Sequence, residues 1–330
     1  MNSPDANSYV EAMQAACRQA RQWLGSTSPN PPVGAVALDD EDNIIAMAAH
    51  HRAGESHAES KLIQFCAANS LLSKIKTLCV TLEPCNHIGR TPPCTQAILK
   101  AGIKHVVIGA YDSNPNVTGG GADYLGQNGI VVTAVVCSDE CDQLIHAFAY
   151  KSRTGKPWIT LKRAFDTNGS MIPAIGTKTF TSQQYLLLAH RLRKKADAII
   201  TGSGTILADN PLFTVRHTQD YPDKKRWLGI IDRRGRVPES YLDAAKERRL
   251  LPVIYNDIAA AILDLNDKNA QDILVEAGPT LSNAMIEEGH WTMQINLHKG
   301  NPDKIDWAFN SAGEIPFNKD KFNLENILPV

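Results

Sequence analysis

The densest chemistry in this chain sits in four residues. His57 and Glu59 are two positions apart in His57-Ala58-Glu59, Cys85 follows Pro84, and Cys94 closes a C-x8-C pair with it. One imidazole nitrogen and two thiolates suit a tetrahedral Zn²⁺ whose fourth position stays open to water. Glu59 is too near His57 in sequence for both to ligate one ion comfortably from a helix start, but it can reach that water. Zinc lowers the water's pKa from roughly 15.7 to roughly 7, a change on the order of 12 kcal/mol at about 1.4 per unit. A carboxylate so placed takes the proton and passes it to a departing amine, base first and acid second. The opposing readings are unrelated core or surface residues, or a structural zinc with His87 as its fourth ligand. The chain has seven cysteines, an odd number for a disulfide framework. Cys17, Cys66 and Cys79 fall in apolar patterns and read as small core residues. Cys137 and Cys141 form a C-x3-C pair with no nearby histidine, a weak metal candidate.

Periodicity supplies the elements that must position these groups. Val10, Met13, Cys17, Ala20 and Leu24 mark one face of a helix over residues 9–24. A Ser/Pro/Asn-rich loop follows, then strands over 33–38 and 44–49, a helix over 57–69, and a strand over 77–82. A helix from Cys94 to Lys100 and a strand over 105–109 come next, with a further helix and strand ending near Val136. Helices alternating with short buried strands predict an α/β sandwich. The polar stretch Lys151–Pro157 breaks the pattern and reads as a linker. Beyond it the pattern restarts: strands over 158–162, 198–201, 227–231, 253–255 and 273–276, with helices over 182–195 and 281–288. Two α/β domains are expected, over residues 1–150 and 156–330.

At 330 residues, 43% hydrophobic and 21% charged, the composition is that of a soluble globular protein and excludes disorder and fibres. With 34 basic against 35 acidic residues, there is no basic excess to suggest a nucleic-acid partner. No apolar stretch is long enough to span a bilayer. The first residues lack the basic and apolar regions of a signal peptide, so a cytoplasmic location is expected.

The H-x-E…P-C arrangement is that of zinc nucleobase deaminases, which usually close with C-x2-C rather than C-x8-C. Pro29-Asn30-Pro31-Pro32-Val33-Gly34-Ala35-Val36, His50 through Glu59, and Thr81-Leu82-Glu83-Pro84-Cys85 through Pro93-Cys94 resemble the deaminase half of the bifunctional riboflavin-biosynthesis deaminase/reductases. The long loop between the cysteines is that family's mark. Asp112-Ser113-Asn114-Pro115, Val117 and Gly119-Gly120-Gly121 match as well, and the resemblance spans roughly residues 8–150. It implies a cytidine-deaminase-like three-layer α/β/α domain acting on a diaminopyrimidinone that carries a ribosylamino 5′-phosphate. His57, Cys85 and Cys94 would bind Zn²⁺ and Glu59 would shuttle protons. Asn30 would hold the ring, and His50, His87, Arg90, Thr91, Asp112 and Asn114 would surround the substrate. Arg90 and Thr91 can present a guanidinium and a hydroxyl to its phosphate.

In the second half, Ala196 through Thr205 reads as a strand running into a small-residue turn, able to approach a pyrophosphate at the carboxyl end of a sheet. Asp209 and Arg216 share one loop, and Val275-Glu276-Ala277-Gly278-Pro279-Thr280 is a strand–turn–helix. These stretches resemble the reductase half of the same family, a dihydrofolate-reductase-like α/β domain that uses NADPH to reduce the opened ribose to ribityl. Lys162, Thr181, Asp209, Asn210, Arg216 and Glu276 fall on its motif positions. Lys162, Asp209 and Arg216 would position ribose and phosphate, while Gly202, Gly204 and Glu276 would line the cofactor cleft. Asn210 and Asp209 also suit a cap or turn before Pro211. The chain departs from the family at Asp166-Thr167-Asn168-Gly169, at Thr179-Phe180-Thr181-Ser182, and after Gly289-His290-Trp291-Thr292, where it is shorter. Residues 301–330 match nothing in the family. Two readings follow: a two-step enzyme, or a deaminase whose degenerate second domain is a non-catalytic scaffold. A zinc-stabilised binding protein is a third, and Glu59 argues against it. The resemblance also implies a homo-oligomer.

Overall fold

Small and apolar residues run together in Gly34-Ala35-Val36-Ala37-Leu38 and Thr77-Leu78-Cys79-Val80-Thr81-Leu82, and every residue in both stretches is buried. Strands covered on both faces belong at the centre of a sheet between helical layers. The computed structural model describes residues 6–87, 92–113, 120–172 and 182–330. Two units emerge: residues 1–154 with 316–330, and residues 155–315.

The first unit runs α1 (Ala6–Arg21), β1 (Gly34–Leu38), β2 (Ile44–Ala49), α2 (Ala58–Ala68), β3 (Thr77–Leu82), α3 (Cys94–Lys100), β4 (His105–Ala110), α4 (Gly121–Gln127), β5 (Val131–Ala134), α5 (Ser138–Leu144) and α6 (His146–Thr154). Its sheet has the order β2-β1-β3-β4-β5, with β1 antiparallel to both neighbours and β3, β4 and β5 parallel. α1 lies so close on β1 that a Cβ at Gly34 would stand 2.0 Å from the Ala16 carbonyl oxygen, so only glycine fits. The expected linker over Lys151–Pro157 is helical as far as Thr154. Lys151 and Arg153 form the basic last turn of α6, where positive charge complements the helix dipole. The helix stops at Gly155, whose φ of +70° no side-chain-bearing residue adopts easily. Polarity alone does not end a helix; the glycine does. Among the described residues Cys137 and Cys141 join no group of three metal donors: Cys141 is buried with its sulfur 3.6 Å from that of Cys17, and Cys137 Sγ faces the Val10 carbonyl.

The second unit runs β6 (Trp158–Phe165), α7 (Gln183–Lys195), β7 (Ala198–Gly202), α8 (Ser203–Asp209), β8 (Arg226–Ile231), α9 (Glu239–Glu247), β9 (Leu250–Tyr255), α10 (Ile258–Asp267), β10 (Asp272–Glu276), α11 (Pro279–Glu287), β11 (Met293–His298) and β12 (Lys304–Phe309). The sheet order is β12-β11-β6-β10-β7-β8-β9, parallel except for β12. The chain steps outward from β7 to β9, then returns to place β10 between β6 and β7. That reversal puts the carboxyl ends of β6, β10 and β7 at the edge where α/β sheets bind ligands. The stretch Gly202–Thr205, expected as a turn, passes directly from β7 into α8. The segment after α11 supplies two strands at the sheet edge beside β6.

Residues 316–330 group with the first unit, not with the second domain to which the sequence reading assigned them. Leu324, Ile327 and Leu328 are buried there. The fully buried Gln143 of α5 donates to the Lys321 carbonyl at 3.0 Å and accepts from the Asn323 N–H at 2.8 Å. Among the described residues no helix is long and apolar enough to cross a membrane.

Candidate active site

His57 caps the N-terminus of α2 in extended backbone conformation, which frees its ring from the helix, and Glu59 follows in the first turn. Cys85 lies in the loop after β3, and Cys94 opens α3 behind Pro93. Three separate elements thus bring their tips together. His57 Nδ1 is 3.5 Å from Cys85 Sγ and 3.4 Å from Cys94 Sγ, and the Cys94 N–H donates to Cys85 Sγ at 3.4 Å. All three donor atoms lie within 4.8 Å of one another. The Cys94 thiol first, then the His57 ring and the Cys94 N–H, outweigh burial and hold the Cys85 thiol below its ordinary value, which favours the thiolate a metal requires. The buried carboxyl of Glu59 is pushed up to about 7 by burial, with the Cys85 charge adding and His57 opposing. Its Oε2 is buried with no hydrogen-bond partner among the described residues. One nitrogen, two sulfurs and an orphaned carboxylate oxygen fit a catalytic zinc. His87 is exposed and stands outside the donor cluster, so it does not complete a structural site.

Asn30, His50, His57, Glu59, Cys85, His87 and Asp112 line one cavity of about 230 Å³. Arg90, Thr91 and Asn114 lie outside the described residues. Burial holds the His50 imidazole down at about 4, so it is neutral. Its Nδ1 is 3.2 Å from the Ser56 carbonyl, which can only accept, so the proton sits on Nδ1. Nε2 then accepts from the Asn30 amide at 3.3 Å. Of the lining residues not expected from the sequence, Glu83 and Phe148 stand out. Glu83 accepts the Asp112 N–H at 3.2 Å and the Ala122 N–H at 2.9 Å, tying the loop after β4 to the start of α4. Its signal was a carboxylate between an apolar strand and Pro84-Cys85. Phe148 reaches the cavity from α6, and nothing local in its sequence marks it.

In the second unit, Gly202, Gly204 and Asp209 line a cavity of about 580 Å³ with Gly278 to Leu281 and with Arg233, Arg234 and Arg236. A Cβ at Gly204 would meet nothing within 4 Å, so the wall there is open to a ligand. Lys162 and Glu276 are not in this lining. They are register partners on β6 and β10, with Nζ and Oε2 4.0 Å apart. Arg193, which the sequence reading missed, grips Glu276 through Nε and Nη2 at 2.9 and 2.6 Å. Burial alone would raise the Glu276 carboxyl; Arg193 and then Lys162 outweigh it and hold it at about 2. Arg216 is also away from the cavity: its guanidinium donates to Thr214 Oγ1 at 2.7 Å. Asn210 is the left-handed C-cap of α8, with φ of 42°. Thr181 lies outside the described residues.

Residues 6–110 match the family model of the cytidine and deoxycytidylate deaminase zinc-binding region, and residues 157–291 match the RibD C-terminal domain. The riboflavin biosynthesis protein RibD of Aquifex aeolicus is 35% identical over 307 residues, covering 89% of this chain and 84% of that one. A crystal form of Acinetobacter baumannii RibD superposes with a TM-score of 0.76 at 30% identity, over 97% of this chain and 93% of that one. The Thermotoga maritima diaminohydroxyphosphoribosylaminopyrimidine deaminase/5-amino-6-(5-phosphoribosylamino)uracil reductase superposes with a TM-score of 0.78 at 27% identity, with the same coverage. The architecture is thus a cytidine-deaminase-like domain joined to a RibD reductase domain. The chain belongs to the RibD family of bifunctional riboflavin-biosynthesis enzymes.

Proposed function

We propose that the first unit deaminates a diaminopyrimidinone bearing a ribosylamino 5′-phosphate, and that the second reduces the resulting ribosyl group to ribityl with NADPH. The observation that carries the deaminase reading is the orphaned Glu59 Oε2 beside the His57, Cys85 and Cys94 donors, in one cavity with Asn30 and His50. His57, Cys85 and Cys94 would hold a zinc ion, whose Lewis acidity would bring the pKa of a water down to roughly 7. Glu59 Oε2 takes a proton from the nucleophile and delivers it to the departing amine. The bond from the ring carbon to its exocyclic amino nitrogen breaks, a C–O bond forms at the same carbon, and ammonia leaves. With its amide committed to His50, Asn30 offers its carbonyl oxygen to a ring N–H. Glu83 holds the Asp112 backbone beside the ring.

For the second unit, support comes from the 580 Å³ cavity at the ends of β7, β8 and β10, whose small residues let a ligand approach the backbone. NADPH bound there would supply a hydride. Lys162 and Arg216 position the substrate's ribose and phosphate, with Asp209 on the cavity wall. Zinc-loaded protein given the diaminopyrimidinone should release ammonia and then consume NADPH. Ammonia alone would favour the scaffold reading of the second unit. Glu59→Gln should abolish ammonia release while metal analysis still finds zinc; unchanged turnover would sink the mechanism.

A further inference from the structure

The last residues of the chain close over the corner between α5 and α6. Leu144 ends α5 and His146 begins α6, so a single residue, Ile145, sets the angle between the two helices. Gln143, fully buried just before this corner, is held by the tail. Its side-chain amide donates to the Lys321 carbonyl at 3.0 Å, and its side-chain oxygen accepts from the Asn323 N–H at 2.8 Å and the Asn326 amide at 3.2 Å. His146 Nδ1 donates to the main-chain carbonyl of Gln143 at 2.8 Å, which pins the start of α6 to the same residue. The tail is itself anchored: Phe317 and Phe322 stack with ring centres 5.5 Å apart, Leu324, Ile327 and Leu328 are buried, and the Glu325 carbonyl accepts from Arg21 of α1. Two residues beyond His146, Phe148 reaches from α6 into the cavity that holds Glu59 and Asn30.

Resting on the deaminase reading above, we propose that the C-terminal segment positions the deaminase site: residues 321–326 hold Gln143, Gln143 fixes the α5–α6 corner, and the corner sets the Phe148 ring as the wall on which the pyrimidine lies. A planar heterocycle carries its polar atoms on its edge, where Asn30, Glu59 and Asp112 can meet them, and leaves its faces for apolar groups. A nucleophile adds to a trigonal ring carbon through one face, so the other face needs a wall that keeps the carbon turned towards Glu59. Among the described residues that line the cavity, Phe148 is the one phenyl ring, and stacking on it does not depend on the pattern of edge groups. Without partners in the tail, the buried Gln143 amide would be left unsatisfied, and the corner would shift to bring it to water. Phe148 would move with the corner. A merely stabilising tail would change the melting temperature and leave substrate affinity alone.

The test uses full-length, zinc-loaded protein and its Phe148→Leu, Gln143→Leu and double variants. Ammonia release from the diaminopyrimidinone is followed well below each melting temperature. Phe148→Leu should raise KM about tenfold with kcat nearly unchanged, the low end of what a base gains by stacking on an aromatic ring. Gln143→Leu should raise KM about fivefold, because the wall is misplaced and not removed. In the double variant KM should match that of Phe148→Leu alone, as expected of two residues acting in series. The same order should appear in the Kd of the diaminopyrimidinone, measured by calorimetry in a Glu59→Gln background that does not turn it over. Should Gln143→Leu not fold, Asn326→Ala deletes one of its partners and carries the same expectation with a smaller rise. Wild-type KM in Phe148→Leu would overturn the proposal, as would a Gln143→Leu protein with a lowered melting temperature but wild-type KM. Effects that multiply in the double variant would also overturn it, since Gln143 would then not act through Phe148. An unsubstituted enzyme that releases no ammonia would overturn the deaminase reading itself, and the proposal with it.

Discussion

Burial and the adjacent Arg193 guanidinium hold the His190 imidazole neutral, down at about 4, and its Nδ1 is already occupied as an acceptor of the Arg216 N–H. A histidine whose pKa is depressed on folding gains its proton in the unfolded chain first. Stability contributed by neutral His190 is therefore complete above the ordinary histidine pKa of about 6.5 and drains away as pH falls towards 4. Thermal unfolding of the second unit should shift to lower temperature across that window. In His190→Asn, whose Oδ1 can still accept the N–H but does not titrate, this slope should flatten; an unchanged slope would place its origin elsewhere. His57, Glu59, Cys85 and Cys94 were readable from residue type and spacing because zinc chemistry demands specific atoms. Arg193 was not, since a basic residue inside a helix carries no mark of what it will face.

The loop–helix joints around the metal donors depend on close backbone contact. A Cβ on Gly121, the first residue of α4, would fall 1.8 Å from the Pro84 carbonyl oxygen, next to Cys85. Gly121→Ala must push the 84–85 loop aside, at a cost of about 1–3 kcal/mol for overpacking, and should weaken zinc retention in a chelator competition. Gly126 on the same helix meets nothing within 4 Å. Gly126→Ala should leave zinc retention intact and raise stability by up to about 1 kcal/mol, the helix-propensity difference. If both substitutions behave alike in chelator competition, the contact at Pro84 does not position Cys85. Glycine in a sequence advertises a turn; here its role is clearance, which appears only when α4 is laid against the loop.

The first unit is completed by the last residues of the chain. Gln143 is satisfied by the backbone of residues 321 and 323, and Lys321 pairs with Asp139 at 2.8 Å. Fully burying a side chain such as Ile327 or Leu328 contributes about 1.5–3 kcal/mol. Ending the chain after Ile315 should therefore lower the melting temperature of the first unit in calorimetry and speed thermal loss of ammonia release. NADPH binding should be kept. A truncated protein whose deaminase activity survives heating as well as the full chain would show that the tail is dispensable.

What the sequence by itself determined is which residues could form a site, the His57/Cys85/Cys94 donor set with Glu59, together with the alternation of helix and strand and the two-part plan, each written in local residue type or short-range periodicity. The tertiary structure decided which distant residues share a cavity and what each one touches. Lys162 meets Glu276 through strand register, and Asp209 and Gly202 line a cavity that excludes them. Asn210 serves as a helix cap, and residues 316–330 return to the first unit. Contacts between residues far apart in the chain depend on how elements pack, and a linear pattern of apolar and polar residues specifies which face is buried without specifying what it is buried against.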